Sequence, residues 1–276
     1  MDKERLARQM NRSVITYDEH AVVHKKMAHR ILCTLKEKVL QAENILEIGC
    51  GTGYLTQLLI DHYPQASVTA VDLAEKMSEM AGEKVEPSSR VRFLVGDAEL
   101  IDLGKQDSFD LIVSNATLHW LQNPEGTLTR WVQRLKKGGW FIATTYGPDT
   151  FQELRLIFER VELELGMTPQ QHTMLLRSAG HWERLLQETG LSRVYSVEFW
   201  NRSIYDDCRQ FLQSVKAMGD SYSEADQSFS TARLVLLEVI KRYNWAYRSG
   251  EGVYSTYHLL QIAGQKGWSS IPSFCI

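Results

Sequence analysis

Apolar positions in this chain change period at clear boundaries, and those changes predict its elements. Met27, Ala28, Ile31, Leu32, Leu35 and Val39 recur at helical spacing, with Lys25, Lys26, His29, Arg30, Lys36 and Lys38 on the other side. Residues 1–40 therefore read as helical, with Asp18 as an acid at a helix start and Tyr17 just before it. Ile45, Leu46 and Ile48 form a short apolar run that suits a buried parallel strand. Leu55, Leu58 and Leu59 then return to helical spacing. Ser67–Val71, Val91–Val95, Phe109–Val113 and Trp140–Tyr146 read as further strands, separated in part by helices over Leu73–Ala81 and Leu128–Leu135. Lys136, Lys137, Gly138 and Gly139 carry the cations and glycine expected at the end of the second of these helices. Five strands alternating with helices predict a right-handed, doubly wound parallel α/β sheet.

The second half departs from a minimal sheet domain. Thr150-Phe151-Gln152-Glu153 matches a capping box, and the helix after it buries Phe151, Leu154, Phe158, Val161 and Leu165. A helix over His181–Thr189, a strand over Val194–Trp200, helices around Phe211–Met218 and Leu234–Arg248, and a last strand over Tyr254–Ala263 follow. Gly267–Ile276 has no period and reads as a loop. The insertion Ile204–Gly252 between the final two strands, together with the Phe151 helix, predicts a lid over the strand ends.

With 43% hydrophobic and 24% charged residues in 276, the chain can bury one sizeable core. A net charge of −3 without long like-charge runs argues against nucleic acid as the main partner. No run of 18 apolar residues occurs, and MDKERLARQM lacks a signal-peptide apolar region, so the expectation is a cytoplasmic protein without a membrane segment. Cys33, Cys50, Cys208 and Cys275 are scattered and form no C-x-x-C pair, which suggests neither a disulfide framework nor a metal site.

The chemistry concentrates in Asn44–Tyr54, NILEIGCGTGY. Gly49, Gly51 and Gly53 place a glycine-rich turn between a strand and a helix N-terminus, where backbone can approach an anionic or polar ligand. The dinucleotide fingerprint G-x-G-x-x-G would need a third glycine at position 54, which is Tyr. Asp72 ends the second strand about twenty residues on, where a carboxylate can accept from both ribose hydroxyls. A helix cap is the alternative for Asp72, and a turn role is the alternative for Asp97, which follows the third strand. Asn115–Trp120 follows the fourth strand, beyond whose carboxyl end ligands sit in open α/β sheets. Tyr17 reads equally as a core staple or as part of the site.

The G-x-G-x-G turn, with Glu47 two residues ahead of it, resembles the first motif of class I S-adenosylmethionine (SAM)-dependent methyltransferases. Across almost its whole length the chain resembles malonyl-[acyl-carrier protein] O-methyltransferases. The likeness runs through LEIGCGTGYLT (46–56), GDAE (96–99), FDLIVSNATLHWL (109–121), GPDTFQELR (147–155), FLQSVKAMG (211–219) and TYHLL (256–260). Asp149 and Phe151 stand where that family often has glycine and leucine.

The resemblance implies a Rossmann-like sheet of about seven strands with helical lid insertions. It divides the chain into capping helices (1–40), a SAM-binding core (41–146) and lid helices with final strands (147–276). It implies SAM bound by Glu47, Gly49, Gly51, Gly53, Asp72, Leu73, Asp97, Ala98 and Asn115. It also implies methyl transfer to the free carboxylate of a malonyl thioester on an acidic acyl carrier protein, the first step of pimeloyl and biotin synthesis. Lys25, Lys26, Arg177, Arg184 and Lys216 could contribute to docking that carrier. Arg155 is the expected carboxylate partner, with a surface or helix-pairing role as its alternative; Tyr17 and Trp120 line the site, and His20 and His119 are weaker candidates. Other readings are methylation of another small carboxylic acid or a quinone precursor, and a non-enzymatic SAM-binding regulator.

Overall fold

The computed structural model describes residues 2–85, 89–104, 108–219 and 229–267. Two helices come first, α1 (Lys3–His20) and α2 (Val22–Lys38), separated only by Ala21. The Asp2 carboxylate caps α1 by accepting from the Glu4 and Arg5 N–H groups. Tyr17 and Asp18 therefore lie in the last turn of α1, not at a helix start. The Asp18 carboxylate is used elsewhere: it accepts from Thr52 Oγ1 at 2.6 Å and pairs with Lys84, tying the helix end to the glycine turn.

Strands β1 (Asn44–Ile48), β2 (Ser67–Asp72), β3 (Val91–Val95), β4 (Phe109–Asn115) and β5 (Leu135–Tyr146) are parallel. β6 (Leu191–Tyr205), the short β7 (Arg248–Ser249) and β8 (Gly252–Lys266) complete a mixed sheet of order β3-β2-β1-β4-β5-β8-β6, with β7 paired to β8. β8 runs antiparallel to both its neighbours, so the parallel expectation holds for the first five strands only. The strand order reverses between β1 and β4, which opens a crevice beyond their carboxyl ends.

Both faces of the sheet are covered. α2 and α3 (Tyr54–His62) bury Ile31, Leu35, Leu55 and Leu59 against Ile45, Val68 and Leu111. On the opposite face, α5 (Pro124–Gln133) and α7 (Ala179–Glu188) bury Trp131, Trp182 and Leu185 against Leu46, Ile112 and Phe141. Adjacent residues such as Ile45 and Leu46 thus serve opposite cores, which is why the central strands read as unbroken apolar runs. α4 (Glu75–Lys84) packs Met77 against Val14 of α1. α6 (Gln152–Glu164), α8 (Cys208–Ala217) and α9 (Phe229–Ala246) share a separate cluster that includes Phe158, Phe211, Val239 and Tyr243.

Several boundaries differ from expectation. Lys136–Gly139 opens β5 and does not close α5: Lys136 Nζ bonds Asp110 Oδ2 at 2.9 Å, and Gly138 takes φ 78° where the β4–β5 register shifts. Thr150 and Glu153 do not form a capping box. Thr150 Oγ1 donates to the His258 carbonyl and Glu153 accepts from the Thr256 N–H and hydroxyl, so both reach across to β8 while Phe151 caps α6 with φ 56°. Apart from Gly267, the expected C-terminal loop lies outside the described residues.

Candidate active site

The crevice at the switch point is built around the turn after β1. Gly49, Gly51 and Gly53 all have positive φ (73°, 54° and 85°). A Cβ on Gly49 would stand 2.0 Å from Thr117 Oγ1, so the turn passes directly against the segment after β4. Gly53 has another role. It caps α3, its missing Cβ makes room for Val85, and it does not line the cleft. The turn is pinned from β2: the Gly49 and Cys50 N–H groups donate to the Val71 carbonyl, and the Gly51 N–H donates to Asp72 Oδ2 at 2.8 Å. Asp72 Oδ1 accepts from the Ala74 N–H at 2.8 Å. A carboxylate has about four acceptor positions, so capacity remains for ligand hydroxyls. Burial raises the Asp72 pKa above the ordinary carboxylate value.

The cleft encloses about 770 Å³ including its mouth. At one end Leu6, Met10, Leu73, Met77, Asp97 and Ala98 form an apolar slot with one carboxylate, suited to a purine and its amino group. At the other end stand Tyr17, His24, Asn115, Thr117 and Trp120. Lys3 lies 3.4 Å from Asp97 and 2.6 Å from Glu99, clipping the start of α1 over the slot. Asn115 is fixed in place, donating to the His24 carbonyl at 3.1 Å and accepting from Thr144 Oγ1 at 2.7 Å.

Glu47 is fully buried beside the turn, in an adjoining recess with Gly49, Gly51 and Asn115. One of its oxygens accepts from Thr56 Oγ1 at 2.6 Å, and Oε1 has no partner among the described residues. Burial pushes its pKa from 4.5 to about 7; the Thr56 hydrogen bond opposes this and the Asp72 charge adds to it. An unpartnered buried carboxylate oxygen fits a cationic ligand group such as the ammonium of a methionine moiety. Glu47, the Gly49–Gly51 backbone and Asp72 thus present groups complementary to an amino acid joined to a nucleoside.

The structure brings Glu47, Gly49, Gly51, Asp72, Leu73, Asp97, Ala98, Asn115, Tyr17 and Trp120 to this crevice. It does not bring Arg155 there: that side chain is exposed on α6 and donates to the Pro148 carbonyl at 3.2 Å. His20 is not among the lining residues, and His119 packs behind Trp120 with Nδ1 3.2 Å from Thr145 Oγ1. Sequence reasoning missed Lys3 and His24, while Thr117 lies within the Asn115–Trp120 segment expected at the strand ends. His24 had a readable signal, a polar residue flanked by Val23 and Met27 on the buried face of α2.

A model described as a methyltransferase domain matches residues 46–143. Malonyl-[acyl-carrier protein] O-methyltransferase of Paenibacillus sp. (strain JDR-2) is 38% identical over 94% of this chain and 98% of its own length. The protein of that name from Halalkalibacterium halodurans is 34% identical over 96% and 99%. The chain belongs to the malonyl-[acyl-carrier protein] O-methyltransferase family. It is a SAM-dependent O-methyltransferase. Two solved structures share the fold of this family member. The YcgJ protein of Bacillus subtilis has a TM-score of 0.58 at 19% identity, covering 87% of this chain and 99% of that one. Phosphoethanolamine N-methyltransferase 2 of Haemonchus contortus, in complex with S-adenosyl-L-methionine, has a TM-score of 0.58 at 16% identity, covering 94% and 57%. Among the described residues no cluster suited to a metal ion occurs, and no helix is long and apolar enough to cross a membrane.

Proposed function

We propose that the chain methylates the free carboxylate of a malonyl thioester carried on acyl carrier protein, giving the methyl ester that opens pimeloyl synthesis. The observation that carries this reading is that the likeness to relatives of that name spans 94% of the chain. It therefore includes the lid helices, which a likeness to methyltransferases in general would not require. In this reading residues 1–40 cap the cleft, 41–146 hold SAM, and 147–276 contribute the lid and complete the sheet.

SAM supplies an electrophilic methyl group on a sulfonium. The chain's own residues bind, align and dry the site. Glu47 would hold the ammonium, Asp72 the ribose, and Asp97 with Ala98 the adenine edge, with Leu73 and the apolar residues of α1 and α4 around it. A carboxylate with a pKa near 4 is already ionised at neutral pH, so the acceptor needs no general base. Alignment and water exclusion carry the rate, and α1 covers the cleft for that purpose. Tyr17, Trp120 and Asn115 line the end where the acceptor would lie, and the Tyr17 hydroxyl is the donor suited to a carboxylate oxygen. Arg155 is the outer candidate; its bond to the Pro148 carbonyl leaves further guanidinium donors. An exposed Cys33 and buried Cys50 and Cys208, all unbridged, suit the reducing cytoplasm.

Mass spectrometry of malonyl-carrier protein after incubation with SAM tests the proposal, with malonyl-CoA and free dicarboxylic acids as parallel substrates. A methyl ester on the carrier-linked malonyl group is expected. Ester on a free acid and none on the carrier would assign the enzyme to another small carboxylic acid.

A further inference from the structure

We infer that His24 is a positioning residue for the acceptor carboxylate, acting through the Tyr17 hydroxyl and itself set by Tyr146. This inference rests on the reading of the acceptor as a carboxylate at the Tyr17 end of the cleft. Tyr17 Oη lies 2.9 Å from His24 Nδ1, and His24 Nε2 lies 2.6 Å from Tyr146 Oη. The imidazole is only 5% exposed, and its backbone carbonyl is held by the Asn115 amide at 3.1 Å. The three side chains come from three elements: the last turn of α1, the first turn of α2 and the last residue of β5. The relay thus links the capping helix to the sheet at the cleft. The Tyr17 hydroxyl would stand 3.8 Å from a Cβ on Gly51, close over the cofactor turn.

A neutral imidazole offers one donor and one acceptor. For Tyr17 to give its O–H to a bound anion, its oxygen must accept from Nδ1–H. Nε2 must then accept, and Tyr146 is the hydroxyl placed to donate to it. With Tyr146 as the donor to Nε2 the ring is the Nδ1–H tautomer, and that tautomer turns the Tyr17 proton into the cleft. A carboxylate accepts this bond more strongly than the ester it becomes, so the relay favours substrate over product. Because the acceptor's charge disappears during transfer, the bond contributes to binding and not to the chemical step.

Two measurements test the inference. The first is the ¹⁵N spectrum of the histidine rings of the SAM-bound enzyme, with His24 assigned by the loss of its signals in His24→Phe. Nδ1 protonated and Nε2 unprotonated is expected, with the preference lost in Tyr146→Phe; a protonated Nε2 in the native enzyme overturns the inference. The second is steady-state kinetics with malonyl-CoA. Tyr17→Phe and His24→Phe are each expected to raise KM roughly tenfold, with kcat changed less than twofold and SAM affinity unchanged. The double variant is expected to match Tyr17→Phe alone. Additive effects, an unchanged KM, or an equal loss of SAM affinity overturns it. If His24→Phe fails to fold, Tyr146→Phe keeps the ring packing and must still raise KM, and Tyr146→Phe then supplies the assignment. If the native enzyme forms no ester from any malonyl thioester, the proposed function fails, while the ring tautomer is still decided by the first measurement.

Discussion

The buried carboxylate of Glu47 should make cofactor affinity depend on pH. Its pKa of about 7 against an ordinary 4.5 corresponds, at 1.36 kcal/mol per unit, to about 3 kcal/mol held against the ionised form. The unpartnered Oε1 is where a ligand ammonium would recover that energy. If the ammonium returns the pKa to the ordinary carboxylate range, binding below pH 7 must expel a proton. The SAM dissociation constant should then fall by about tenfold per unit from pH 5.5 to 6.5 and level off above pH 7. Calorimetry in two buffers of different ionisation enthalpy should show close to one proton released at pH 6. Glu47→Gln keeps an acceptor for the Thr56 hydroxyl but cannot ionise. It should abolish the slope and weaken binding by about 1.5–3 kcal/mol at pH 8. The ligand-free enzyme should show the linked effect. The folded state binds more protons than the unfolded chain between pH 4.5 and 7, so Glu47 makes stability fall as pH rises through that window. A dissociation constant flat from pH 5.5 to 7, with no proton exchange, would refute the assignment of Glu47 to the ammonium.

Asp72→Ala removes the acceptor of the Gly51 and Ala74 N–H groups together with the proposed ribose partner, so SAM binding by calorimetry should be lost while unfolding shifts by only about 1–3 kcal/mol. Glu153→Ala leaves the Thr256 N–H and hydroxyl without their buried partner; it should cost about 1–3 kcal/mol, with faster hydrogen exchange in α6 and β8. Arg155→Ala should leave SAM affinity intact; lost turnover on a malonyl thioester would place the guanidinium on the carboxylate, and normal turnover would leave that contact to Tyr17. If an acidic carrier docks electrostatically, KM for the carrier-linked substrate should rise with salt while KM for malonyl-CoA stays nearly flat.

The cofactor half was legible because its signals are local. Strand boundaries placed Asp72 and Asn115 at the crevice, and the family resemblance added Asp97. The C-terminal half was less legible because its contacts span a hundred residues. Glu153 sits where a capping box would use it, yet it bonds Thr256 across |i−j| = 103, and only the placement of β8 reveals this. Arg155 borders the apolar stripe of α6, but that stripe faces α8 and α9 and not the strand ends, so the spacing could not say which way the guanidinium points. β6 runs on to Tyr205 through Asn201, Arg202 and Ser203, a polar stretch stabilised as strand by pairing with β8. His24 escaped the sequence reading because its two partners, Tyr17 and Tyr146, come from α1 and β5.

What closes the cleft can be decided by magnitude. α1 is held by charge near both ends, Lys3 to Asp97 and Glu99, and Asp18 to Lys84. The Asp18–Lys84 pair is exposed enough to contribute about 0–1 kcal/mol, whereas Glu99 is buried and its pair with Lys3 is screened little by salt. Between them Leu6 and Val14 are buried, and each such burial stabilises by about 1.5–3 kcal/mol. The apolar contacts exceed the one pair that salt can readily screen, so high salt should not open the cap. Leu6→Ala should open it: SAM affinity should fall several-fold and hydrogen exchange in α1 should rise, with the sheet unaffected. If 1 M salt weakened SAM binding more than Leu6→Ala did, the ion pairs and not the apolar face of α1 would be the closure. The distinction matters for turnover, because salt would speed the opening of a cap held by exposed charge and leave one held by apolar contact unchanged.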